Sequence, residues 1–162
     1  HTANRRQRQM CIRDRENGEV FVIHRAPLST HERFVAFLTE HWAGNFPTWL
    51  SPKQVQIITI SEKQKQYAKE VEKSLAAIGV RVSVDDSDAT IGKKIRMHRK
   101  MRPAYMLILG EDEQKQGTVS IRIDRKGEPR SGEQCNGVPL NEFLENLSEE
   151  ISSKSKDLSL VK

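Results

Sequence analysis

The chain has 162 residues, of which 36% are hydrophobic and 30% charged, with a formal net charge of +5. That composition suits a soluble globular protein with one properly cored domain and part of another. It excludes a membrane-spanning helix, because no run approaches the ~20 apolar residues a span needs.

The charge is unevenly placed. Residues 1–15, HTANRRQRQMCIRDR, hold five arginines and one aspartate, leaving 22 cations against 21 acids in the rest, so only local clusters speak about partners. This basic leader has no helical or strand periodicity and is followed by no apolar segment of the secretory kind. It is expected to be disordered, or artefactual, since RRQRQMCIRDR resembles translated sequencing-adapter read-through, and no function is assigned to it. Cys11 and Cys135 form neither a metal-ligand spacing nor a disulfide framework, which points to a reducing cytoplasm.

After a turn at Gly18, Val20 to Ile23 is a candidate buried strand leading into His24-Arg25. Pro27 to Thr30 is a polar turn. From Glu32 to Trp42, Phe34, Val35, Phe37, Leu38 and Trp42 make a helix so apolar all round that it must either pack on the downstream domain or, without its proper partner, expose an apolar patch. Gly44 ends it, and Pro47 and Pro52 mark a connector.

From Val55 onward the pattern alternates strand and helix. Val55 to Ile60 is a strand. Ser61 and Gln64 have capping-box spacing, Tyr67, Val71, Leu75 and Ile78 repeat at helical spacing, and Gly79 ends the helix. Val80, Val82 and Val84 alternate as a strand. Asp85 to Asp88 is an acidic turn before a helix from about Ala89 to Met101. Tyr105 to Leu109 is continuously apolar, as a central strand would be. Gly110 to Gly117 reads as a charged loop. Val119, Ile121 and Ile123 alternate with Ser120, Arg122 and Asp124, and Lys126-Gly127 is a turn. Leu140, Phe143, Leu144, Leu147 and Ile151 form an amphipathic last helix, and Ser152 to Lys162 reads as a fraying polar tail. Residues 53–155 are thus an α/β domain of order β-α-β-α-β-β-α, a mixed β-sheet flanked by about three helices.

Three features of that domain could carry chemistry. On the helix after the acidic turn, Lys93, Arg96, Arg99 and Lys100 cluster opposite Ile91, Ile95, Met97 and Met101. This is either a phosphate-contacting face or a solvated one. Glu111-Asp112-Glu113 follow the central strand, where ligands of open α/β sheets gather, although loop acids are often only solvated. Arg122 faces away from the core, where it could bond or stack on a base, or pair with a nearby acid.

The stretch IHRAPLSTHERFVAFLTEHWAGNFPTWLSPKQV, Ile23 to Val55, resembles the third signature motif of class II aminoacyl-tRNA synthetases and, more narrowly, that of the threonyl-tRNA synthetase family. The pattern is carried by Ile23 to Ala26, Ser29-Thr30, Glu32 to Phe34, and Ala43-Gly44 through Pro47-Thr48-Trp49-Leu50 to Gln54-Val55. The likeness continues through IGKKIR, PAYMLILG and the last helix. Two departures stand out: Ser29 replaces a turn glycine, and Asp88 and Thr90 stand where relatives often have Asn and Lys.

The resemblance implies a chain taken from the C-terminal part of a longer enzyme. Residues 16–46 would be a strand–helix remnant of the catalytic domain, 47–52 a linker, 53–155 a class II anticodon-binding domain and 156–162 a flexible tail. It implies that His24 is one ligand of a zinc ion, that Arg33 clamps the ATP phosphates and that Thr30 lines the substrate pocket. Glu113 and Arg122 would read anticodon bases, with Arg96, Asp88 and Thr90 nearby. The whole enzyme would be a threonine–tRNA ligase using Zn2+ and Mg2+/ATP, a cytoplasmic homodimer whose partners are threonine, ATP and threonine tRNA. This chain alone is expected to be inactive and to keep mainly RNA recognition. The alternative is a non-catalytic RNA-binding or accessory protein with a synthetase-like anticodon domain.

Overall fold

A computed structural model describes residues 30–160. His24, Ser29 and the basic leader lie outside the described residues. The chain divides into two compact units, His1–Val35 and Ala36–Lys162.

In the first unit, Thr30 caps the start of helix α1 (His31–His41), its Oγ1 accepting the Arg33 N–H at 3.4 Å. This satisfies one of the donors that a helix start leaves over. Val35 is 57% exposed. Of the two expectations for this apolar helix, exposure is the one found, since none of its residues is buried.

In the second unit, Phe37 is 61% exposed and stacks on His41 at 6.0 Å. Gly44, at φ +76, ends the helix by donating to Thr39 O. The proline-bounded connector is docked. Thr48 donates its hydroxyl to Glu150, and the Gln54 amide nitrogen donates to Thr48 O at 3.0 Å. Arg81 Nη2 donates to Trp49 O and Ser51 O at 3.0 and 2.8 Å.

The rest is a five-stranded sheet in the order β2-β1-β3-β4-β5. The strands are β1 (Val55–Thr59), β2 (Val82–Asp85), β3 (Tyr105–Leu109), β4 (Thr118–Arg122) and β5 (Gln134–Pro139). β1 pairs parallel with β2 and β3, while β3–β4 and β4–β5 are antiparallel. The mixed sheet is as expected, with one strand more. The extra strand, β5, carries Gly137 at φ +69 and ends on Pro139, and its pairing with β4 is irregular. It is an edge strand with few β-branched residues, which hid it from a pattern search.

The helices of this unit are α2 (Lys65–Ala77), α3 (Ile91–Arg99), α4 (Glu111–Gln116) and α5 (Leu140–Ser152), with a 3-10 turn over Glu62–Gln64 before α2. Tyr67, Ala68, Val71 and Leu75 of α2 and Phe143 and Leu147 of α5 share one core with Val55, Ile57, Tyr105, Leu107, Leu109, Val119 and Ile121. Because side chains alternate along a strand, Ile58, Met106, Ile108, Ser120 and Arg122 belong to the opposite face. There α3 packs against β1.

Three expectations are corrected. The charged loop Gly110 to Gly117 is helix α4, which starts from Gly110 and stops at Gly117 in the left-handed conformation, φ 66. Its three acids fill the first turn, where the helix dipole favours negative charge. Met97 and Met101, expected on the buried arc of α3, are 53% and 58% exposed. Lys94 is buried in their place. At 100° per residue, Lys94, Ile95 and His98 fall within about 60° of Ile91, whereas Met97 falls about 120° away. The tail after Ser152 is not a free polar end at Leu158, which is buried, or at Ser159, whose N–H and hydroxyl both donate to Glu150.

Candidate nucleic-acid interface

The parallel half of the sheet is the more deeply buried: every residue of β1 and β3 is buried, the polar Gln56 and Thr59 included, and β2 is half-buried. β4 and β5 are less fully covered: on their second face α4 buries Ser120, while Gln134 and Asn136 stay exposed. Val119 and Ile121 point into the core, with Cys135 and Val138 packed against it. Their alternates Ser120, Arg122, Gln134 and Asn136 form a polar sheet surface beside α3 and α4. An open hollow of about 660 Å³ lies there, with Ile60, Ile91, Ile95 and Ile108 as its apolar part and Glu113, Ser120, Gln134 and Asn136 among its polar lining.

Glu113 is fixed by its helix. Its Oε2 accepts the Gly110 N–H at 3.0 Å, closing the first turn of α4, and its Oε1 accepts the Ser120 hydroxyl at 2.6 Å. Gly110 must be glycine for this. A Cβ there would lie 2.8 Å from Glu113 Oε2 and 2.9 Å from Ile60 Cδ1. A carboxylate has about four lone-pair sites, so two bound donors orient Glu113 without exhausting it.

Arg122 stands one strand step from Ser120, with its side chain 26% exposed. Nη2 donates to Asp124 at 3.2 Å and Nη1 to the Gln134 amide oxygen at 3.3 Å. Of the two sequence readings, pairing with a nearby acid is therefore realised, and it leaves the guanidinium partly open to solvent. Gln134 in turn donates to Asn136 Oδ1 at 2.6 Å.

Helix α3 borders this surface and is held by buried polar bonds. Lys94, 1% exposed, donates from Nζ to Thr59 O at 2.9 Å, and also to Asp85 O. His98 Nε2 lies 2.6 Å from Asp85 Oδ2. Burial would raise the Asp85 carboxyl, but bonds from Ser87 and the contact with His98 outweigh it and bring it down to about 2. With its inner face anchored, α3 presents Lys93, Arg96, Arg99 and Lys100 outward, all exposed. Arg99 also reaches Asp124, 3.0 Å from Nε to Oδ1.

Glu113 and Arg122 are thus brought to one face. Arg96, Asp88 and Thr90 are exposed on α3 and the turn before it, outside the lining of the hollow, with Thr90 at the N-cap of α3. Thr30 and Arg33 lie in the first unit. Sequence reasoning missed Gln134 and Asn136, whose strand it did not see. It also missed Lys94, which a helical wheel centred on Ile91 and Ile95 would have placed inside. Asp124 carried a usable signal: it is two residues from Arg122 and so on the same strand face.

A family model described as "Anticodon binding domain" matches residues 54–150. The chain belongs to that family. Within the anticodon-binding domains it is similar to those of threonine–tRNA ligases, as the resemblance implied. It is 45% identical over 140 residues to the threonine–tRNA ligase of Phocaeicola vulgatus, covering 86% of this chain and 21% of the relative. To that of Thermoplasma volcanium it is 40% identical over 136 residues, covering 84% and 20%. The chain therefore spans about a fifth of the length of these curated relatives. Among solved structures, it is 38% identical to the RNA binding domain of threonyl-tRNA synthetase from Cryptosporidium parvum Iowa II. That likeness has a TM-score of 0.68 and covers 78% of this chain and 30% of the other. Prolyl-tRNA synthetase from the same genus and species is further off, at 27% identity and TM-score 0.54, covering 67% and 23%.

Proposed function

We propose that the open face of β4 and β5, with Glu113 and Arg122, reads bases of the anticodon loop of a threonine tRNA, in a protein whose activity as a whole is the ATP-dependent attachment of threonine to that tRNA. The observation that carries this reading is an oriented carboxylate, Glu113, in an open hollow with apolar contacts, with the partly exposed Arg122 guanidinium just outside that lining, bonded to Gln134 of it. Single-stranded loop bases are recognised by such a combination: an apolar or planar surface for the base face, and fixed polar groups for its edge. Glu113 accepts from a base N–H, Arg122 donates to base acceptors or stacks, and the isoleucines meet the base face. The outward cations of α3, Arg96 among them, attract the RNA backbone without reading sequence. Asp88 and Thr90, just before α3, would meet neighbouring nucleotides.

The remaining assignments rest on the motif likeness. Arg33 would neutralise ATP phosphates and Thr30 would line the substrate pocket, in a cytoplasmic homodimer. His24 would be one zinc ligand, and among the described residues no group of three or more His, Cys, Asp or Glu could hold a metal ion. No step of base reading passes through a metal ion.

The test is binding of this chain to an anticodon stem-loop of threonine tRNA and to the same stem-loop with the anticodon changed. The expected result is preference for the first, with Arg122→Ala reducing that preference by about 10- to 100-fold, the worth of ~1–3 kcal/mol in base discrimination. Equal binding of both loops by the unaltered chain overturns the reading.

A further inference from the structure

We propose that Asp124 is a positioning residue for specificity, a buried carboxylate that fixes Arg122 as part of the base-reading face and ties it to Arg99 of α3. This rests on the reading that this face binds an anticodon loop. Asp124 is 6% exposed. Its Oδ1 takes Arg99 Nε at 3.0 Å and its Oδ2 takes Arg122 Nη2 at 3.2 Å, one arginine from α3 and one from β4. The Ser131 hydroxyl closes the set, donating to Oδ1 at 3.4 Å. On its other edge the Arg122 guanidinium donates to Gln134.

A long basic side chain on a sheet surface carries about 2 kcal/mol of rotamer entropy and follows any nearby phosphate. Clamping changes that in two ways. Charge-assisted bonds to a buried acid fix the plane of Arg122, so the part of its guanidinium left exposed meets a base in one orientation. The acid also cancels one of two positive charges, which weakens attraction to RNA of any sequence. Asp124 therefore gives up non-specific affinity and gains discrimination.

The test is Asp124→Asn, nearly isosteric and one charge more positive, measured in the full chain with the threonine stem-loop and the anticodon-changed stem-loop across a salt series. Its thermal midpoint is followed alongside. The expected result is that the ratio of the two affinities falls by about 10-fold. The changed loop meanwhile binds as well as before or several-fold better at low salt, with a salt slope steeper by about one. A merely structural role would lower both affinities together.

A ratio within about twofold of the unaltered chain, or any fall in affinity for the changed loop, overturns the proposal. If the unaltered chain already binds both loops equally, the anticodon reading itself fails and this inference with it. If it discriminates and Asp124→Asn does so equally well, only this inference fails. Should Asp124→Asn not fold, Gln134→Ala is read in its place. That side chain is exposed and holds the other edge of Arg122, so its substitution should reduce the ratio about threefold, and an unchanged ratio overturns the proposal.

Discussion

The two halves of the sheet are built from the same alternation and put it to different uses. In β1 and β3 every residue is buried, and α2 and α3 both pack against β1. In β4 Val119, Ser120 and Ile121 are buried and Arg122 is half-buried, and in β5 only Cys135 and Val138 turn inward. The parallel half is committed mainly to stability and lends the hollow Ile108. The antiparallel half keeps one face for polar side chains and borrows its rigidity from the strands beside it. Discrimination of a base depends on groups held in one orientation, so an open face on the edge of a fully buried sheet is a sound place for it.

This division is tested most strongly by Leu107→Ala, in the centre of β3 at 0% exposure. Removing a buried leucine side chain costs about 2–5 kcal/mol. Urea unfolding should show that loss, while the ratio of affinities for the two stem-loops stays as it was in the fraction that remains folded. A collapse of that ratio at an unchanged unfolding midpoint would mean the two halves are not separable.

A smaller effect is expected at Asp85, which ties β2 to α3. Its carboxyl is lowered from 3.8 to about 2, so folding favours the ionised form. The stabilisation is present above about pH 3.8 and is lost as pH falls through about 2. Asp85→Asn should therefore lower stability at pH 6 by about 1–2 kcal/mol and flatten its decline below pH 4. Parallel acid limbs for the two proteins would remove Asp85 from the account. Smallest of all is Arg96→Gln. It should weaken both stem-loops alike, by a few-fold, and make the salt slope shallower by about one. A loss confined to the threonine loop would move Arg96 from backbone attraction to base reading.

Much of the division was legible in the residues. The unbroken apolar run Tyr105 to Leu109 marks a strand buried on both faces, and the alternation of Val119, Ile121 and Ile123 with Ser120, Arg122 and Asp124 marks one that is not. Those two patterns give the mixed sheet and put Arg122 on the open side. What stayed hidden has physical causes. β5 has a glycine and a proline where β-branched residues would announce a strand, and its pairing comes from a neighbour rather than from its own preference. Helix α4 is six residues long, too short to show a period, and is defined by its two bounding glycines and by Glu113 turning back on Gly110. Lys94 misleads because a lysine is expected outside. Its ammonium is satisfied by Thr59 O and Asp85 O, backbone acceptors that no reading of side-chain chemistry reveals. The resemblance supplied Glu113 and Arg122, and the geometry supplied Asp124, Gln134 and Asn136 around them.

Glu150 has a consequence of another kind. Its buried carboxylate takes the hydroxyl of Thr48 from the segment leading into the domain, that of Tyr105 from the middle of the sheet, and both donors of Ser159 from the segment leaving it. Peeling either segment away leaves donors and a carboxylate unmatched at the same spot, so each end guards the other. The domain has no loose thread from which to unzip. Its two ends should let go as one event, and a protease waiting at either should have to wait for the whole.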